Sequence, residues 1–138
     1  MNEVFILDAC ALIALINEEE GAEIVKDVLK RAQTGKATVI MNKLNLLEVY
    51  YDAYRSYGKE AAEKLIMNIN RPPIVIQAEL SDAVFKEAGR LKASYKISIA
   101  DSVALGETIV SGGQLLTSDH HEFDAIEKSE DIRFHWIR

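Results

Sequence analysis

The chain has 138 residues, a net charge of −6, and 49% hydrophobic against 28% charged residues, an ordinary balance for one globular domain with a sizeable core. That charge excludes a protein that grips nucleic acid chiefly through a basic face; two bound divalent cations would bring −6 to −2 and let metal meet phosphate instead. A single cysteine, Cys10, excludes an internal disulfide and a multi-cysteine zinc site, and its apolar neighbours mark it as a small buried hydrophobe.

In chain order, Val4 to Leu7 is a short apolar run suited to a buried strand, followed by the apolar stretch Ala9 to Ile16 and a polar break at Asn17 to Gly21. Ile24, Val25, Val28 and Leu29 recur at helical spacing opposite Lys26, Asp27, Lys30 and Arg31, and this helix ends near Thr34-Gly35. Ala37 to Met41 reads as a second strand, after which Asn42 or Asn45 caps a helix running to Ser56-Tyr57-Gly58. Lys59 to Asn68 is a further helix, Pro72-Pro73 a break, and Ile74 to Ile76 a third strand. Ser81 starts a helix to about Tyr95, and Ser98 opens another that ends at Ser111-Gly112-Gly113. Gln114 to Thr117 is a fourth strand, Glu122 to Lys128 a short helix, and Arg133 to Ile137 a final strand.

This alternation predicts an α/β fold over residues 1–138, with a central, mostly parallel five-stranded sheet flanked by helices. The longest apolar run falls far short of the roughly 18 to 20 residues that cross a bilayer. The amino terminus lacks the basic region and cleavage site of a signal peptide, so a cytoplasmic protein without membrane contact is expected.

Four acids sit where extended or turn-like stretches give way to apolar helical patterns: Asp8, Glu48, Asp101 and Asp119. Each has a purely structural explanation. Asp8 and Asp119 can cap the helices that follow them, and Asn45-x-x-Glu48 and Ser98-x-x-Asp101 have the form of capping boxes. Jointly they point elsewhere, because right-handed β-α-β crossovers bring the carboxyl ends of parallel strands to one edge of a sheet. Four acids gathered there repel unless protons or metal compensate, and hard cations such as Mg²⁺ and Mn²⁺ prefer oxygen ligands. One or two such ions can activate water for attack on phosphorus.

At these residues the chain resembles the PIN domain family, in particular VapC-type ribonuclease toxins of toxin–antitoxin pairs. The resemblance spans nearly the whole chain, from Phe5-Ile6-Leu7-Asp8-Ala9-Cys10 through Ile99-Ala100-Asp101-Ser102-Val103-Ala104-Leu105 to Leu116-Thr117-Ser118-Asp119 with Phe123. It implies a single PIN-like nuclease domain in which Asp8, Glu48, Asp101 and Asp119 bind one or two Mg²⁺ or Mn²⁺ ions and cleave RNA. Thr117 or Ser118 would be a supporting hydroxyl, a small antitoxin would be a partner, and the toxin would form a homodimer. Two positions depart from the family pattern. Cys10 stands where Ser or Asn is frequent, which would remove a hydrogen-bonding group, and Ser118 stands where a basic residue is frequent.

Lys86, Arg90, Lys92 and Lys96 form a basic stretch, of which Arg90 and Lys92 are candidates for steering an RNA backbone; a solvated helix face is the alternative. His120 and His121 are read as exposed polar residues, and His135 as packed in the last strand. Tyr50, Tyr54 and Tyr57 recur at helical spacing, as expected for core or homodimer packing or for receiving an antitoxin helix. Rival readings are a PIN-domain nuclease of RNA processing outside any toxin–antitoxin pair, an aspartyl-phosphate phosphatase with Asp8 as nucleophile, and a catalytically silent binding module whose acids only cap helices. The phosphatase wants a second aspartate at the place of Cys10.

Overall fold

A computed structural model of the chain describes residues 2–138. The elements run β1 (Glu3–Leu7), α1 (Ala9–Ile16), α2 (Ala22–Gln33), β2 (Ala37–Asn42), α3 (Lys43–Tyr57), α4 (Lys59–Ile69), β3 (Ile74–Gln77), α5 (Asp82–Ser94), α6 (Ile99–Ser111), β4 (Gln114–Thr117), α7 (His120–Ser129) and β5 (Arg133–Trp136). One five-stranded sheet has the order β3-β2-β1-β4-β5. All four strand pairings are parallel, so the sheet is wholly rather than mostly parallel.

The strand pattern follows from burial on both faces. Phe5, Ile6 and Leu7 are each fully buried; Phe5 and Leu7 pack with α1, α2, β2 and α3, while Ile6 turns to the layer of α5, α6 and α7. Leu115 and Leu116 divide the same way. A run apolar at every position is therefore the expected signature of these central strands, where a half-exposed strand would alternate. The two helical layers close one core on each side.

The chain leaves β1 towards β2 and β3 on one side of the sheet, and later returns to lay β4 and β5 on the other. The order thus reverses between β1 and β4, and ligands of open parallel sheets bind at that crevice, outside the carboxyl ends of the strands. Close approach at Gly113 helps to set β4 beside β1: a Cβ there would lie 2.5 Å from the Val4 carbonyl oxygen. Asp8 and Asp119 flank the crevice, one directly after β1 and the other two residues after β4.

One boundary moved. The seventh helix starts at His120 rather than Glu122, because Asp119 acts as its cap and accepts from the Glu122 N–H at 3.2 Å. No described helix is long and apolar enough to cross a membrane.

Candidate active site

Asp8 is the most enclosed of the four acids, with 3% of its surface exposed. Its Oδ1 accepts from the Ala11 N–H at 2.8 Å, which caps α1. Burial pushes its carboxyl up to about 7, and the neighbouring Asp101 and Asp119 add to the shift, while the Thr117 hydroxyl and the Ala11 N–H oppose it. Such a group is close to half protonated at neutral pH.

Asp101 lies one turn into α6, whose cap Ser98 accepts from the Asp101 N–H at 3.0 Å. Burial, then Glu48, then Asp119 lift its carboxyl to about 6. Glu48, in α3, is raised by burial and by Asp119. Asp119 caps α7, and its own N–H donates to Thr117 Oγ1 at 3.2 Å. The four acids therefore feel one another's charge, and among the described residues none of the four forms an ion pair with Lys, Arg or His. Thr117 is fully buried and connects two of them, touching the Asp8 carboxyl with its hydroxyl while accepting from Asp119.

The capping explanation holds for Asp8 and Asp119 and fails for Glu48. The cap of α3 is Asn42, whose Oδ1 accepts from the Leu44 N–H at 2.9 Å, so the box Asn45-x-x-Glu48 does not form. Asn45 instead donates to the Ala100 carbonyl at 3.0 Å and pins the first turn of α3 to the first turn of α6. Its Oδ1 is buried without a hydrogen-bond partner among the described residues. Beside it, Asn42 donates to the buried Glu107 at 3.2 Å. These contacts hold the two helices that carry Glu48 and Asp101. They escaped the sequence because they join residues 55 and 65 positions apart.

Glu122 was also missed as a member of the acidic group; its charge raises Asp101 further. Its place three residues after Asp119, on the same helix face, was the available signal. Cys10 is half-buried rather than sealed in the core, and its Sγ lies 2.9 Å from Ser118 Oγ. The two positions that depart from the family pattern thus meet, and Cys10 keeps a hydrogen bond instead of losing one. Of the basic candidates, Arg90 is engaged by Glu87 and Glu130 at about 3 Å. Lys92 is exposed beside an apolar groove of Leu80, Phe85 and Ile99.

His120 is exposed, as expected, but it is also tied down. Its Nδ1 is 2.8 Å from Asp124 Oδ1, its Nε2 is 2.8 Å from the Arg138 carbonyl, and its ring stacks on Trp136. His135 packs edge-on against Phe5. Tyr54 and Tyr57 are 45% and 66% exposed, so these tyrosines are not core residues.

A comparison with known families matches the PIN domain over residues 5–129. The chain belongs to the PIN domain family. A search of curated proteins finds no match, but solved structures share the fold. VapBC from Salmonella typhimurium, bound to DNA, matches with a TM-score of 0.73 at 18% identity, covering 100% of each chain. VapBC2 from Rickettsia felis, bound to a DNA fragment from their promoter, gives a TM-score of 0.72 at 18% identity, covering 96% of this chain and 97% of that one. VapC20 of Mycobacterium tuberculosis, a Sarcin-Ricin loop cleaving toxin, gives 0.65 at 15% identity over 88% and 94%. Membership of the PIN domain family supports a nuclease.

As a home for a hard divalent cation, the set is chemically suitable: all the donors are oxygens, and the charge of the carboxylates is uncompensated by cationic side chains. Among the described residues no three His, Cys, Asp or Glu side chains form a ready-made metal cage. Mg²⁺ does not require one, since it keeps several waters and is held through one or two carboxylates.

Proposed function

We propose that this chain is a metal-dependent endoribonuclease that hydrolyses RNA phosphodiester bonds in the cytoplasm, as the toxin of a VapBC-type pair. The observation that supports the reading is that Asp8, Glu48, Asp101 and Asp119 lie near enough to raise one another's carboxyls without a cationic partner, Asp8 to about 7 and Asp101 to about 6. A group of carboxylates that no capping role explains in full, beside a sheet's switch point and strongly perturbed, is a functional-site signal. Glu48 is the decisive member, because it caps nothing.

In this reading Asp8, Glu48, Asp101 and Asp119 hold one or two Mg²⁺ or Mn²⁺ ions. Such ions supply positive charge to the scissile phosphate and lower the pKa of bound water. The chain's own contribution is orientation. The Ala11 N–H and the Thr117 hydroxyl hold the Asp8 carboxyl, Thr117 also anchors the Asp119 backbone, and Asn45 locks the Glu48 helix to the Asp101 helix. Ser118, bonded to Cys10, is a second supporting hydroxyl beside Asp119. Lys92 is better suited than Arg90 to meet an RNA backbone, since Arg90 already serves two carboxylates.

The proposed partners are a small antitoxin and a second copy of the chain. Leu47, Tyr51, Tyr54, Tyr57 and Met67 are exposed on α3 and α4, an apolar face of the kind that receives a helix from a partner. The VapBC structures that share the fold support the antitoxin as a partner.

The test is incubation of the protein with structured RNAs, with and without a chelator, beside Asp8→Ala. Cleavage that needs Mg²⁺ or Mn²⁺ and disappears in Asp8→Ala is expected. RNA left intact by the wild-type protein with metal, or cut equally well by Asp8→Ala, would overturn the proposal.

A further inference from the structure

An acidic nuclease must obtain part of its affinity for single-stranded RNA from something other than phosphate neutralisation, and the chain offers one such feature beside the acids. Phe134 and Trp136 of β5 stack with ring centroids 5.2 Å apart and planes 8° from parallel. The ladder continues to His120, whose ring lies 3.7 Å from that of Trp136 at 12°. Strand β5 pairs with β4 so that Trp136 stands opposite Thr117. The ladder thus ends at the residue next to Asp119.

The last ring is held in place and left partly open. Both His120 nitrogens are engaged, one by Asp124 and the other by the Arg138 carbonyl, yet the side chain is 48% exposed. One ring face is covered by Trp136, which leaves the opposite face as the one available for a further ring. Trp136 is itself anchored through Nε1 to Glu127 at 3.1 Å. Rings fixed in this way lose little conformational freedom on binding. Aromatic platforms of this kind take nucleobases by stacking and tolerate any base, because every base has a π-face.

We infer that His120, backed by Trp136, forms a stacking subsite for a nucleobase flanking the scissile phosphate. The inference deepens the ribonuclease reading and rests on it for the identity of the strand. His120 here is a binding residue and takes no part in proton transfer.

Trp136 is the only tryptophan, so its emission reports on the stack directly. Titrating wild-type protein with a short single-stranded RNA in the presence of chelator should quench that emission, and an oligomer with abasic nucleotides should not. In anisotropy titrations with labelled RNA, His120→Ala should bind about 5- to 150-fold more weakly, the range expected for losing one stacked base. His120→Phe, which keeps a ring but loses both hydrogen bonds, should stay much closer to wild type. Unchanged Trp136 emission at every RNA concentration overturns the inference. So does wild-type affinity in His120→Ala, or equal weakening in His120→Phe, which would make His120 only a clip for the carboxyl terminus. The two readings fail separately: cleavage without quenching removes the subsite and leaves the nuclease, while quenching without metal-dependent cleavage does the reverse.

Discussion

Two carboxylates of this molecule, Glu130 and Asp8, show how differently one fold treats negative charge. Glu130 accepts from Arg90 and from the Tyr95 hydroxyl at 2.8 Å, and Arg90 foremost holds its carboxyl below the ordinary range. Asp8 is buried with two other acids for neighbours and no cation, and its carboxyl is driven up to about 7. The first arrangement is complete in itself. The second is costly unless something positive arrives, and a domain that tolerates such a cost beside a sheet's switch point keeps it for use.

The largest effect that would break this contrast is catalytic. Asp8→Asn removes the charge while preserving size, and should lower metal-dependent RNA cleavage on the order of a thousandfold, since a bound ion supplies several kcal/mol and each 1.4 kcal/mol is about tenfold. Single-turnover cleavage measurements decide it. Cleavage within a few-fold of wild type would show that the buried charge is incidental.

The next effect concerns stability and runs in the opposite direction. A carboxyl raised from 3.8 to about 7 on folding is favoured in its protonated form, so the folded metal-free protein binds more protons than the unfolded chain between those values. Its stability should therefore fall as pH rises from about 4 to about 7, and Asp101, raised to about 6, works in the same sense. Asp8→Asn should be more stable than wild type at pH 8 without metal, by up to roughly 4 kcal/mol, and should show no such gain at pH 4. Mn²⁺ at a hundred times its dissociation constant should stabilise the wild type by about 2.7 kcal/mol and the variant far less. Thermal melts across pH, with and without Mn²⁺, test both; a wild type whose melting ignores Mn²⁺ would favour acids that only cap helices.

Thr117→Val comes third. It keeps the buried volume but removes the hydroxyl that contacts Asp8 and accepts from Asp119. Loss of such a supporting group lowers metal affinity or activity about 10- to 100-fold. The metal concentration needed for half-maximal cleavage should rise, and an unchanged requirement would make Thr117 a packing residue alone.

The acidic half of this contrast was readable in the sequence. Strands buried on both faces announce themselves as apolar runs, and acids placed where such runs end must gather at one edge once the sheet is parallel. What could not be read depends on packing between distant segments. Nothing local shows that Cys10 meets Ser118 across 108 positions, or that Asn45 reaches for Ala100 instead of capping its own helix. His120 looked like a solvated polar residue because its partners, Trp136 and Arg138, come from the far side of a helix and a strand. The pairing of Arg90 was hidden for the same reason: the carboxylate that engages it from outside its own helix, Glu130, lies 40 residues away.

That pairing supplies the smallest and most specific test. Glu130→Gln should leave cleavage and its metal dependence unchanged, because Glu130 serves Arg90 and Tyr95 and none of the four acids. Its carboxyl is lowered on folding, so the stability it contributes is present above the unfolded value of 4.5 and is lost as pH falls through the lower folded value. Arg90 is about half exposed, with 47% of its side chain open to solvent, so screening keeps the loss at neutral pH to about 1 kcal/mol or less. Denaturant unfolding at pH 7 and at pH 3 should therefore separate variant from wild type more widely at the higher pH. If Glu130→Gln instead weakened RNA cleavage, the two carboxylates would belong to one functional surface, and Arg90 would return as a residue that meets RNA.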